Sequence, residues 1–331
     1  MIDTLSSPLS RSAPLTRVAR AAARQGRQLG ALGALVALGA FLTAATPHFL
    51  TVSNLLNVFE QTSINAVIAV GMTFVILSGG IDLSVGSILA LAGILLAMAL
   101  QNGWSVLPAT LLGLGVGGAC GLLNGLLVTL GRLPPFIATL GMMSVARGAA
   151  LLLTEGRPVS GFEADFRSLA TGRVLLVPAA VVVAALAYFL AHVVLRRTVF
   201  GRCVYAIGGN EEAARFSGVS VRFYKTMVYA VSGLASAIAA ALLTARLNSA
   251  QPIAGVMYEL DAIAAVVIGG TSLRGGFGGI GGTLVGALIM GVLRNGLNLL
   301  GISSFLQQVV IGLVIVGAVL LDAALRPADA R

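Results

Sequence analysis

Charge is scarce in this chain, and so are sulfur and lysine. Only 10% of its 331 residues are charged, against roughly 25% in soluble domains, while 57% are hydrophobic. That balance excludes an ordinary soluble fold and points to an all-α polytopic membrane protein. The single lysine is Lys225, followed by Thr226 but preceded by Tyr224. A phosphate-binding P-loop needs glycine immediately before its Lys-Ser/Thr pair, so nucleotide binding by that route is excluded. Cys120 lies in an apolar segment and Cys203 in a polar one, with no Cys-x-x-Cys, which suggests neither a disulfide nor a metal site. His48 and His192 stand apart at span ends without a carboxylate close in sequence, and no Gly-x-Ser-x-Gly or His-Glu-x-x-His occurs. Nothing here reads as an enzyme. About ten spans of about 20 residues each would use most of the chain. Any energy source is therefore a gradient or another polypeptide.

What is present is glycine, 42 residues of it, and a net charge of +9. Arg11, Arg17, Arg20, Arg24 and Arg27 precede the first apolar run; Arg196, Arg197, Arg202, Arg215, Arg222 and Lys225 fill a central polar island. Basic residues flanking spans mark the cytoplasmic side, so the charge reads as topology and not as nucleic-acid binding. The first run, Leu29 to Ala45, follows a basic start as a cleaved signal would, but exceeds a signal core of about 7–15 residues. It reads as span one. Further spans are expected near 55–77, 85–100, 106–130, 136–153, 174–195, 226–245, 280–293 and 305–321. An even count of ten puts both termini in the cytoplasm. The resulting division is a basic tail over 1–28, one membrane domain over 29–325 with its basic loop at 196–225, and a short tail at 326–331. Gly113, Gly117, Gly121 and Gly125 in span four suit close helix packing. Thr154 to Arg173 is the likeliest docking surface on the outer side.

Two segments break the pattern. Span two carries Glu60, Gln61, Ser63, Asn65 and Thr73, then runs into Gly79-Gly80-Ile81-Asp82-Leu83-Ser84. Glu259 to Gly270 is too short to cross at 1.5 Å per residue and is expected to be a half-span or re-entrant element, followed by a glycine-rich stretch to Gly279. Paired interruptions in opposite halves are a mark of transporters. Ionised side chains are costly in lipid, so Glu60, Asn65, Asp82, Ser84, Glu259 and Asp261 are candidates for a polar translocation pathway. Asp82 and Asp261 are also placed to cap the helices after them. In the central island, Glu211 to Arg215 can form one helical turn with an i,i+4 ion pair, stopped by Ser217-Gly218.

Several long stretches together resemble the permease subunits of bacterial ABC importers for simple sugars, most of all those for ribose. They are Gln61-Thr62-Ser63-Ile64-Asn65-Ala66, Gly79 to Ser87, Phe136 to Leu140, Gly208-Gly209-Asn210-Glu211 with Ala213-Ala214, Ser217-Gly218-Val219, Tyr258 to Leu273, and Asn295 to Gly301. The match covers about 49–322. It departs from the ribose type at Arg274 to Gly279 and in a shorter outer loop. The resemblance implies a homodimer, a separate cytoplasmic ATPase carrying ATP and Mg, and a periplasmic sugar-binding protein, with no cofactor on this chain. It also implies that Gly209, Asn210, Glu211, Ala213, Ala214, Arg215, Ser217 and Gly218 form the segment that engages the ATPase. Two readings compete: a proton- or sodium-driven transporter using Asp82, Glu259 and Asp261, and a non-transporting scaffold or receptor.

Overall fold

The computed structural model describes residues 13–324, with side chains from 29 to 320. The expectations for residues 1–12 and 325–331 lie outside the described residues. Helix α1 (Ala13–Ala45) begins well ahead of Leu29, so the latter part of the expected tail is helical. Then come α2 (Val52–Leu77), α3 (Val85–Gln101), α4 (Val106–Thr129) and α5 (Pro135–Thr154). The next stretch holds β1 (Val159–Ser160), α6 (Ala164–Thr171), β2 (Arg173–Val174) and β3 (Val177–Pro178). Helices α7 (Ala179–Arg197), α8 (Val199–Gly209), α9 (Glu211–Phe216) and α10 (Val221–Leu247) follow, then β4 (Ser249–Ala250). The chain continues as α11 (Tyr258–Ile268), α12 (Ile280–Leu299) and α13 (Ser304–Ala324).

Among the described residues, six helices are long and apolar enough to cross a membrane: α2, α4, α5, α7, α10 and α12. Three shorter apolar stretches, Leu29–Ala45, Val85–Gln101 and Ser304–Leu320, accompany them. The protein is a multi-pass all-α membrane protein; length and composition directly support six spans where ten were expected. The span expected from 174 starts later, at Ala179, because Arg173–Pro178 folds back as the β2–β3 hairpin. The expected outer docking loop is itself structured. Its β1 pairs antiparallel with β4, and Phe162 and Phe166 are buried in an edge-to-face contact at 5.3 Å.

The centre of the molecule is α10, packed chiefly against α4 and then against α2 and α3. Glycine permits the closest of these contacts. A Cβ on Gly117, Gly121 or Gly125 of α4 would strike the α10 backbone at Gly233, Tyr229 or Thr226 respectively. Spaced four apart, these residues form one stripe, and the backbones interlock along it as small-residue stripes do in lipid. Thr129 Oγ1 and Thr226 Oγ1 close one end of the seam at 2.9 Å.

Candidate functional site: a polar belt and a capped helix

Helix α11 is as short as the sequence suggests. Eleven residues rise about 16 Å at 1.5 Å each, half of a hydrocarbon core of about 30 Å. The non-helical backbone leading into it, Gln251 to Met257, wedges beside the start of α3, where a Cβ on Gly255 would meet Gly86. Backbone carbonyls without partners are costly away from water. Arg147 of α5 supplies the donor: its Nη1 reaches the carbonyl oxygens of Pro252 at 2.6 Å and Ala254 at 2.7 Å. Glu259 lies within electrostatic reach of the same guanidinium. Asp261 does not cap α11. The N-cap position is Met257, and Asp261 sits inside the first turn, where Oδ2 accepts from Arg294 Nη2 at 2.6 Å and from Asn65 Nδ2 at 3.3 Å. A short cleft lined by Gln61, Thr62, Asn65, Asp261, Met290 and Arg294 adjoins this pair. Three oxygens there, Thr62 Oγ1, Asn65 Oδ1 and Asp261 Oδ1, are buried without a hydrogen-bond partner.

Glu60 is placed nearer the start of α2, with its Oε2 3.8 Å from Arg246 Nε. The Nη2 of that arginine donates to Asn57 Oδ1 at 2.7 Å. The fold thus joins four of the six expected pathway residues, Glu60, Asn65, Glu259 and Asp261, with three arginines from α5, α10 and α12. The arginines were not singled out as pathway residues from sequence. The available signal was an arginine inside an apolar run, plain for Arg294 within Ile280–Leu299 and for Arg147 within Pro135–Thr154.

Asp82 and Ser84 belong to a different network. Asp82 Oδ1 accepts from Ser84 N at 3.0 Å and Ser84 Oγ at 2.6 Å, and Oδ2 from Ser232 Oγ at 2.8 Å. Ser84 Oγ in turn accepts from Asn124 Nδ2 at 2.8 Å. The N-cap position of α3 is Ser84, so Asp82 is not its cap; it fastens the α2–α3 turn to α10. Both side chains are fully buried.

The central island is not an open loop. Helix α8 fills its first half, and α10 starts at Val221, earlier than the span expected from 226. Between them α9 is defined by its ends. Asn210 Oδ1 accepts from Ala213 N at 2.9 Å as the N-cap. Gly218, at φ +82°, takes the left-handed position past the C-cap Ser217. The Val219 N–H then reaches the Ala214 carbonyl at 3.1 Å, and that of Gly218 reaches Arg215 at 3.0 Å, the paired bonds of a Schellman ending. The expected Glu211–Arg215 pair forms at 3.2 Å, and Glu211 also holds Lys225 at 2.8 Å. Ala214 packs into a small apolar cluster with Ile207 and Val221. Phe216, which sequence reasoning passed over, stands 89% exposed at the end of α9. Phe200 of α8 lies between Phe74 of α2, at 6.2 Å, and Tyr224, at 5.6 Å.

The chain is 52% identical over 298 residues to the ribose import permease protein RbsC of Bacillus subtilis (strain 168), covering 89% of this chain and 92% of that one. It is 50% identical over 293 residues to the RbsC of Escherichia coli (strain K12), covering 87% and 91%. Against the D-allose transport system permease protein AlsC of the same strain it is 39% identical over 283 residues, covering 85% and 87%. No solved structure matches the chain. Residues 54–319 match the model of the branched-chain amino acid transport system / permease component family, and the chain belongs to that family.

Proposed function

We propose that this chain is the membrane-spanning permease of an ATP-binding-cassette importer for ribose or a related pentose. Two copies would form the pathway in a bacterial inner membrane, with both termini cytoplasmic. A periplasmic sugar-binding protein would deliver the substrate, and ATP hydrolysis with Mg on a separate cytoplasmic subunit would drive it. The observation that carries the reading is α9, a short helix capped at both ends and held firmly on α8 and α10, in a chain half identical to ribose import permeases. Rigidity matters here, because a helix that transmits force must not yield first. Exposed Phe216 is the apolar anchor that a groove on the ATPase would accept.

The belt supplies the pathway. A sugar presents hydroxyls that donate and accept, and Glu60, Asn65, Glu259 and Asp261 lie with Arg147, Arg246 and Arg294 to meet them. Asp82 and Ser84 stand apart from the belt, fastening the α2–α3 turn to α10 and α4. The gradient-driven alternative fits less well, since a carboxylate already paired with arginine at 2.6 Å is a poor ligand for a coupling ion.

The test is uptake of labelled ribose by intact cells with and without the gene, under ATP depletion and, separately, with an uncoupler while ATP is maintained. Loss on deletion and on ATP depletion, with the uncoupler tolerated, is the expected result. Sensitivity to the uncoupler with ATP intact would overturn it.

A further inference from the structure

Three glycine-bearing segments far apart in sequence converge near the coupling helix. They are the last turn of α2 with Gly79, the end of α8 at Gly208 and Gly209, and the loop after the half-span, Ser272 to Gly279. The Gly276 N–H donates to the Leu77 carbonyl at 2.9 Å. A Cβ on Gly208 would run into that same carbonyl oxygen. One on Gly275 would lie 2.8 Å from Gly79 N and 2.9 Å from Gly208 Cα, and one on Gly276 would lie 2.7 Å from Gly209 Cα. Gly275 and Gly276 take φ of +86° and +70°, conformations that side chains resist. Tyr205 of α8 adds a hydrogen bond from its hydroxyl to the Gly278 carbonyl at 3.0 Å.

At the glycines, α8 therefore meets α2 and the loop backbone against backbone, with no rotamer between them to absorb a displacement. One residue beyond α8 begins α9, and the loop continues directly from α11. We propose that Gly208 is a positioning residue for transport. It is the joint through which movement of α9 is passed to the end of α2 and to the half-span α11, and it does not touch the sugar. This rests on reading Asn210 to Gly218 as the ATPase-coupling segment.

The test uses the complex with its ATPase and binding protein, reconstituted in liposomes. Cys120 and Cys203 are replaced by serine and Ser272→Cys is introduced as a reporter. Three variants are compared: Gly208→Ala; Tyr205→Phe; and Gly281→Ala, a nearby helical glycine with open space around its would-be Cβ. Gly281→Ala is expected to behave as the parent. Gly208→Ala should bind the ATPase and hydrolyse ATP, yet lose the ATP-dependent change in reactivity of the reporter thiol and about tenfold of ribose uptake per ATP. Tyr205→Phe, which removes one hydroxyl, should lose about two- to threefold of uptake per ATP. An unchanged thiol response and uptake in Gly208→Ala would overturn the proposal. If that variant fails to assemble, Tyr205→Phe decides, and an unaltered ratio of uptake to hydrolysis overturns it. If the parent carries no ribose, the substrate reading fails while the thiol response still judges the joint. If Glu211→Arg leaves hydrolysis and thiol response intact, it is the coupling reading that fails.

Discussion

Glu211 and Asp261 each hold a cation, in opposite surroundings. Glu211 is 40% exposed and shares its carboxylate between Arg215, on its own helix, and Lys225, fourteen residues on. Asp261 is 2% exposed and holds Arg294, on another helix of the belt, at 2.6 Å. The Glu211–Arg215 pair lies where water screens charge and is worth under about 1 kcal/mol, whereas the bond to Lys225, whose side chain is 13% exposed, ties α9 to α10. The Asp261–Arg294 pair lies where lipid and protein exclude water, and removing one partner leaves a charge with nowhere to go. One region therefore presents its charge at the surface, and the other holds its charge inside the protein.

The largest expected effect comes from breaking the buried pair. Arg294→Met should cost about 3–5 kcal/mol, read as a large fall in thermal stability of the detergent-purified protein. Neutralising both sides, Asp261→Asn with Arg294→Met, should restore more than half of that loss. If the double variant is no more stable than the single one, the pairing is not what holds the two together. At α9, Glu211→Arg should abolish ribose uptake and cost about 1–3 kcal/mol of stability, because it sets a like charge against Lys225 and Arg215; normal uptake would sink the coupling role of α9. Arg215→Ala is the mildest. Removing an i,i+4 pair should change stability by about 0.3–0.5 kcal/mol, and a larger thermal shift would show that α9 depends on that pair for its fold.

How legible each region was follows from how it is assembled. Helix α9 could be read from its own residues, because the Asn210 cap, the Glu211–Arg215 spacing and the Ser217-Gly218 stop are all local. The short helix α11 could be read too, since a segment too short to cross is visible as a length. The partners of the acids could not. Asp82 and Asp261 carry the sequence marks of N-caps. Asp82 keeps a local partner in Ser84 but gives its other oxygen to Ser232 of α10, and Asp261 is taken by Asn65 and Arg294. A buried carboxylate needs a donor for each oxygen, and those beyond the local turn are supplied by packing, which is not a local property.

The sequence by itself determined the class of protein, the approximate placement of its spans, the short α11 and the capped helix α9. Each depends on hydrophobic run length or on contacts within a few residues. Only the tertiary structure decided that Arg147 satisfies the backbone entering α11, that Arg294 neutralises Asp261, and that the glycines near 79, 208 and 275 meet in one joint. These contacts join residues dozens to hundreds of positions apart, and helix packing brings them together.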